Sequence, residues 1–242
     1  MSSFTKRQSS EVFDITTTEW TAILLSLRVA IVATLVATPI GIALAWLLAR
    51  RNFWGKSFVD ALVHLPLVLP PVVTGYLLLL TFGRRGPLGA WLADHLGIVF
   101  AFRWTGAALA CGVMAFPLLV RPIRLSIEAV DRRLEQAAET LGAPPWRVFL
   151  NVTLPLSLPG VLAGMVLGFA KAIGEFGATI TFVSNIPGET QTLPSAIYTF
   201  TQVPGGEIGA LRLTLVSIVI SMGALVVSEV MARRVGHGFS FE

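Results

Sequence analysis

Of 242 residues, 54% are apolar and 13% charged, about half the charge of an ordinary soluble domain, and the mean hydropathy is +0.75. So little charge cannot coat a soluble enzyme of this length, disorder is excluded by the same scarcity, and the single cysteine, Cys111, cannot close a disulfide within the chain. A net charge of +4 and a pI near 9.8 leave nucleic acid to be tested by where the basic residues fall.

Residues 1–19 are polar, mix Lys6 and Arg7 with Glu11, Asp14 and Glu19, and lack the short apolar core of a cleavable signal. They are expected to form an extracytoplasmic tail, with the first span directing insertion. A lipid core about 30 Å thick needs roughly 20 apolar helical residues, and charge-free runs at 29–49, 61–83, 104–120, 148–170 and 213–228 qualify or come close. The runs are continuous rather than alternating, which favours helices over a barrel. The expected fold is an all-α membrane protein with spans at 20–49, 58–82, 104–121, 155–183 and 208–231 and a cytoplasmic tail at 233–242. Of 18 basic residues, one alternating set of loops holds ten: Arg50, Arg51, Lys56, Arg121, Arg124, Arg132, Arg133, Arg147, Arg233 and Arg234. The other set holds Lys6, Arg7, Arg84, Arg85 and Arg103, while Arg28, Lys171 and Arg212 lie inside spans. The richer side is expected to be cytoplasmic, placing the N-terminus outside and the C-terminus inside. Basic residues strung along membrane edges also argue against a nucleic-acid partner, which calls for one dense patch.

Within the cytoplasmic stretch 122–154, Ile127, Val130, Leu134, Ala137, Ala138 and Leu141 recur at spacings of three and four, with acids and bases between them. That spacing predicts an amphipathic helix over 127–141. Gly142 can cap it, Pro144 and Pro145 force a break, and 146–151 can form one more turn. The result is a knob projecting under the membrane. A helix lying on lipid headgroups is the competing reading, and the mixed charge of the polar face disfavours it.

The segment QAAETLGAPPWRVFLNVTLP resembles the EAA loop of binding-protein-dependent, type I ABC importer permeases: Ala137, Ala138, Gly142, Val152, Leu154 and Pro155 fall at that pattern's spacing. Gln136 stands where the family usually has Glu, with Glu135 immediately before it. The resemblance implies a loop that inserts into a groove of a separate ATPase subunit, with Glu135, Gln136, Ala137, Ala138, Gly142, Trp146 and Arg147 as the coupling residues. It also implies no cofactor in this chain, ATP and Mg being held by the partner ATPase. Two further blocks, HLPLVLPPVVTGYLLL at 64–79 and GEFGATITFVSNIPGETQTLPSAIYT at 174–199, are similar to the molybdate permease branch, with the sulfate permeases as nearest rivals and tungstate not distinguished. The expected partners are a second copy of the chain, two ATPase subunits and an external molybdate-binding protein, in a bacterial inner membrane.

Enzymatic constellations are missing. Gly55, Lys56 and Ser57 imitate the end of a phosphate-binding loop, but Arg50 occupies the place of its first glycine. His64, His95 and His237 lack metal-ligand spacing, and no G-x-S-x-G elbow is present. A secondary transporter, the alternative from another class, would call for inverted repeats and several intramembrane carboxylates.

Charges inside spans are costly, which makes Lys171 and Glu175 path residues by default. Four apart on one helix, they are either a structural ion pair or, with Phe176, Pro70 and Pro71, part of the path or gate. Pro66, Pro70 and Pro71 interrupt the second span. Gly160, Gly164 and Gly168 form a stripe suited to packing or to a dimer seam. The outer segment 184–207 is the expected landing surface for the binding protein.

Overall fold

A computed structural model describes residues 15–237, all of whose regular elements are helices. The expected N-terminal tail before Ile15 and the C-terminal tail after His237 lie outside the described residues, as do the side chains of Arg233 and Arg234. Helix α1, Thr17–Arg50, begins three residues before the expected span. Thr16 and Glu19 form a capping box: the Glu19 N–H donates to Thr16 Oγ1 at 3.3 Å and the Thr16 N–H to Glu19 Oε2 at 2.7 Å. Glu19 therefore belongs to the helix and not to the tail. At 1.5 Å per residue α1 is about 51 Å long, well beyond the hydrocarbon thickness, and its ends reach both faces.

The expected second span is two helices, α2 (Lys56–Val68) and α3 (Pro71–Phe82), bent by 116°. Pro70 and Pro71 donate no N–H, and the residue before a proline is driven out of the helical region; Leu69 accordingly turns extended with ψ 142°. The following loop contains a helix absent from the sequence reading, α4 (Pro87–Leu96). Helix α5, Trp104–Ala129, runs eight residues past the expected end at Arg121, so residues 122–129 are not loop. The reason is Ile127, which is fully buried with Leu119, Val120, Ile123 and Val161; its three-four spacing serves the bundle rather than the knob. The knob helix is the shorter α6, Arg132–Thr140.

Helix α7, Pro145–Leu156, meets α8, Leu158–Ile173, at 70°. It holds a π-helical turn over Phe149–Thr153, just ahead of Pro155, whose ring would clash with the Asn151 carbonyl in an ordinary helix. The expected fourth span is broken again at residues 174–176 before α9, Gly177–Val183. Helices α10 (Leu193–Thr201) and α11 (Glu207–His237) complete the described chain. Three helices, Thr17–Arg50, Trp104–Ala129 and Glu207–Val227, are long and apolar enough to cross a membrane, and each bent pair supplies one further candidate.

Where α1, α5 and α8 cross, small residues of α1 pack against larger ones such as Leu119, Val120 and Ile123 of α5. Ala22, Ser26, Val29, Ala30, Ala33 and Ala37 face inward along α1, while Leu24, Ile31, Leu35 and Ile40 on its other side are about half exposed, an apolar exterior that only lipid or another membrane chain can cover. The glycine stripe of α8 packs within the chain: a Cβ on Gly160 would lie 2.2 Å from Ser126 Cβ, and one on Gly164 2.5 Å from the Leu119 carbonyl oxygen. It closes the α8–α5 contact rather than a seam between copies. The outer segment 184–207 is likewise not all surface. Thr190, Gln191, Thr192, Leu193, Ser195 and Ala196 are buried, with the Leu193 N–H donating to Ser26 Oγ at 2.6 Å; its exposed residues are Ser184, 186–189, Tyr198, 201–205 and Glu207.

Candidate functional site

Two groups of the predicted residues lie apart, one on the projecting knob and one at the breaks of the bundle. On the knob, Asp131 caps α6 by accepting from the Arg133 N–H at 2.9 Å. At the other end the Gly142 N–H donates to the Glu139 carbonyl and the Ala143 N–H to the Ala138 carbonyl. That is the Schellman arrangement, with Gly142 at φ +84° where a side chain is strained. Pro144 and Pro145 then open α7, so the knob is a helix, a glycine turn and a second helix. None of α6 is buried. Leu141 is 89% exposed, Trp146 60% and Leu134 50%, and Gln136, Ala137, Gly142 and Arg147 are exposed beside them. The Arg147 guanidinium stands 5.1 Å from the centre of the Trp146 ring.

Glu135 is the exception among the predicted coupling residues, because it points back into the protein. Its Oε1 accepts from Arg50 Nε at 3.1 Å and from Thr153 Oγ1 at 2.6 Å, with Arg50 Nη2 at 3.0 Å. Arg50 Nη2 also donates to the Val130 carbonyl at 3.0 Å. A cleft of about 270 Å³ opens beside this cluster, lined by Trp46, Arg132, Gln136, Glu139 and Phe149 among others. The sequence reading found Glu135 but neither of its partners. Arg50 counted only as a topology signal, and no spacing links positions 50, 135 and 153.

In the bundle, Lys171 Nζ and Glu175 Oε2 are 2.6 Å apart, the lysine 28% and the carboxylate 1% exposed. Glu175 sits in the break between α8 and α9, where its Oε1 also accepts the Ala178 N–H at 3.0 Å, satisfying a free donor in the first turn of α9. The break in the second expected span lies against this one. A Cβ on Gly177 would be 2.8 Å from Pro71 Cβ, and one on Gly75 would be 2.5 Å from the Ala178 carbonyl oxygen. Lys171, Glu175, Phe176 and Pro71 are thus brought together, with Pro70 capping α3 next to them, and the Phe176 ring meets that of Tyr198 in a tilted contact, centroids 5.3 Å apart. The backbone beyond α9 is unusual too: Ser184 has φ 66° and ψ −162°, a region that costs other residues of order 1–3 kcal/mol relative to glycine. A groove of about 700 Å³ between α1, α2 and α5 is lined by Val36, Ile40, Leu62, Leu109 and Phe116. It offers an oxyanion almost no donor and is no place for one.

Sequence reasoning missed a second ion pair. Glu19, with its side chain fully buried, lies 2.8 Å from Arg212 Nη2 and joins α1 to α11. The signal for it was Thr16-x-x-Glu19, a capping-box spacing that moves Glu19 from the tail into the helix. His64 serves its own helix, Nδ1 lying 2.8 Å from the Asp60 carbonyl oxygen.

Comparison with known proteins agrees with this architecture. The chain is 61% identical over 219 residues, 90% of its length and 96% of the relative's, to the molybdenum transport system permease protein ModB of Escherichia coli strain K12. It is 59% identical over 216 residues, 89% and 94% of the two chains, to the protein of the same name from Haemophilus influenzae. The fold matches a chain in the crystal structure of a bacterial alginate ABC transporter with a TM-score of 0.72 at 17% identity, covering 91% of this chain and 80% of that one. Residues 37–237 match the family described as the binding-protein-dependent transport system inner membrane component, and the chain belongs to that family.

Proposed function

We infer that this chain is the permease subunit of an ATP-driven molybdate importer of the inner membrane. The observation that carries the substrate is the likeness to molybdenum permeases along nearly the whole chain. The uncovered apolar patch of the knob, Leu134, Leu141 and Trp146, supports docking of a separate ATPase subunit, because such a patch on a short charged helix calls for a protein partner. ATP and Mg belong to that subunit, and this chain performs no covalent chemistry. Two copies of the chain, two ATPase subunits and an external molybdate-binding protein form the working assembly, with the N-terminus outside and the C-terminus in the cytoplasm.

The bundle supplies what a gate requires. Lys171 and Glu175 neutralise each other, which leaves a buried carboxylate that does not repel a dianion and an ammonium with one open side to attract it weakly. Holding the ion tightly would slow its release, so selection is assigned to the binding protein. The paired breaks at Pro70–Pro71 and 174–176 let α3 and α9 move together between two rigid arrangements. Proteoliposomes carrying the chain, its ATPase and its binding protein should take up molybdate in an ATP-dependent way; uptake of sulfate but not molybdate would overturn the substrate assignment.

A further inference from the structure

We propose that Glu135 is a positioning residue, the internal joint through which movement of the knob reaches the membrane helices, and not a contact for the ATPase. The proposal rests on the permease reading above. Helix α6 buries none of its residues, so apart from the chain at its two ends, a polar attachment has to fix its place. Glu135 provides that attachment at one oxygen, accepting from Arg50 at the end of α1 and from Thr153 in the π-helical turn of α7. Arg50 extends the joint to the Val130 carbonyl, where α5 ends. The ends of α1 and α5, the knob helix α6 and the π-helical turn of α7 are therefore tied within one cluster.

The cluster is shielded but not sealed: the Arg50 side chain is 9% exposed, that of Glu135 14%, and Thr153 1%. Charge-assisted bonds at such sites are short and directional, which suits a joint that must carry a displacement without slack. The outward residues Leu141 and Trp146 remain exposed to meet a partner, so docking and transmission use different side chains of the same knob.

The test reconstitutes the full chain with its ATPase and binding protein and follows three quantities: capture of the ATPase, ATP hydrolysis stimulated by the binding protein, and molybdate taken up per ATP hydrolysed. Glu135→Ala and Thr153→Val should keep capture and basal hydrolysis, while uptake per ATP falls about fivefold or more, the low end of ordinary coupling between linked sites. Thr153→Ser, which retains the hydroxyl, should restore it. Leu141→Asp should do the reverse and lose capture. Unchanged uptake per ATP in both Glu135→Ala and Thr153→Val overturns the proposal, and so does loss of capture in Glu135→Ala with folding intact, since the carboxylate would then be a docking contact. If Glu135→Ala fails to fold, Thr153→Val decides alone. A wild-type chain that captures no ATPase would refute the permease reading itself and this joint with it.

Discussion

Gly75 is where the two broken segments touch, and a methyl group there tests whether their contact matters. A Cβ at this position would stand 2.5 Å from the Ala178 carbonyl oxygen, 2.9 Å from Ala178 Cα and 2.9 Å from Thr181 Cβ. Carbon contacts are favourable at about 3.5–4.0 Å, and none of the three atoms is the end of a flexible side chain, so α3 and α9 must separate by about 1 Å. Overpacking of this kind costs about 1–3 kcal/mol, against which replacing a helical glycine by alanine contributes up to about 1 kcal/mol of stability. Gly112 isolates the second effect, because its nearest neighbour for a Cβ is the Ala33 carbonyl oxygen at 3.8 Å. Gly112→Ala should therefore raise the melting temperature of the purified protein slightly. Gly75→Ala should lower it by a few degrees, at roughly 2–4 °C per kcal/mol for a chain of this size, and Gly75→Val should lower it further. Both Gly75 variants should also slow molybdate uptake, since they displace α9 beside Glu175. If Gly75→Ala melts like Gly112→Ala and transports at the wild-type rate, α3 and α9 do not move as one packed body and the gate assignment fails.

Other outcomes follow from single contacts. Lys171→Met leaves the Glu175 carboxylate buried and uncompensated, and should destabilise the purified protein by about 3–5 kcal/mol; Glu175→Gln keeps an oxygen for the Ala178 N–H and should cost less. The double variant should recover part of the Lys171→Met loss, and its failure to do so in a thermal-melt cycle would show that the two groups are not coupled. Gly142→Val forces a branched side chain into φ +84°, a conformation costing roughly 1–2 kcal/mol for a residue with a Cβ, and should reduce ATPase capture and ATP-coupled uptake; a variant with intact uptake would refute the knob's role. Thr16→Ala removes the cap of α1 and should cost about 1 kcal/mol, read as a lower melting temperature.

Much of this molecule is legible in its residues because hydropathy and backbone chemistry are local. The apolar runs, the prolines that interrupt the second span and the glycine that closes α6 each act through nearest neighbours in the chain; long helices accordingly cover the first, third and fifth expected spans and the knob is a helix, a glycine turn and a second helix, whereas the second and fourth expected spans are broken. Spacing fails where a residue can serve two surfaces. Ile127 and Val130 continue the knob's periodicity, yet both are buried against the bundle, which shifts the start of the knob to Asp131. A charge count fails similarly at Arg50, Glu19 and Arg212, because the count treats them as membrane-edge signals or costs and cannot see the partner each one meets.

The sequence by itself determined that the chain belongs in a membrane, that it is helical, which segment forms a knob and to which family that knob's pattern points, since these depend on composition and short-range spacing. Only the tertiary structure decided that the breaks of two spans face each other across Pro71, Gly75 and Gly177, that the glycine stripe is filled by the chain's own α5, and that Glu135 turns inward to Arg50 and Thr153. Those contacts join residues up to about a hundred positions apart. Their distances are set by helix crossing and close packing, which no one-dimensional spacing encodes.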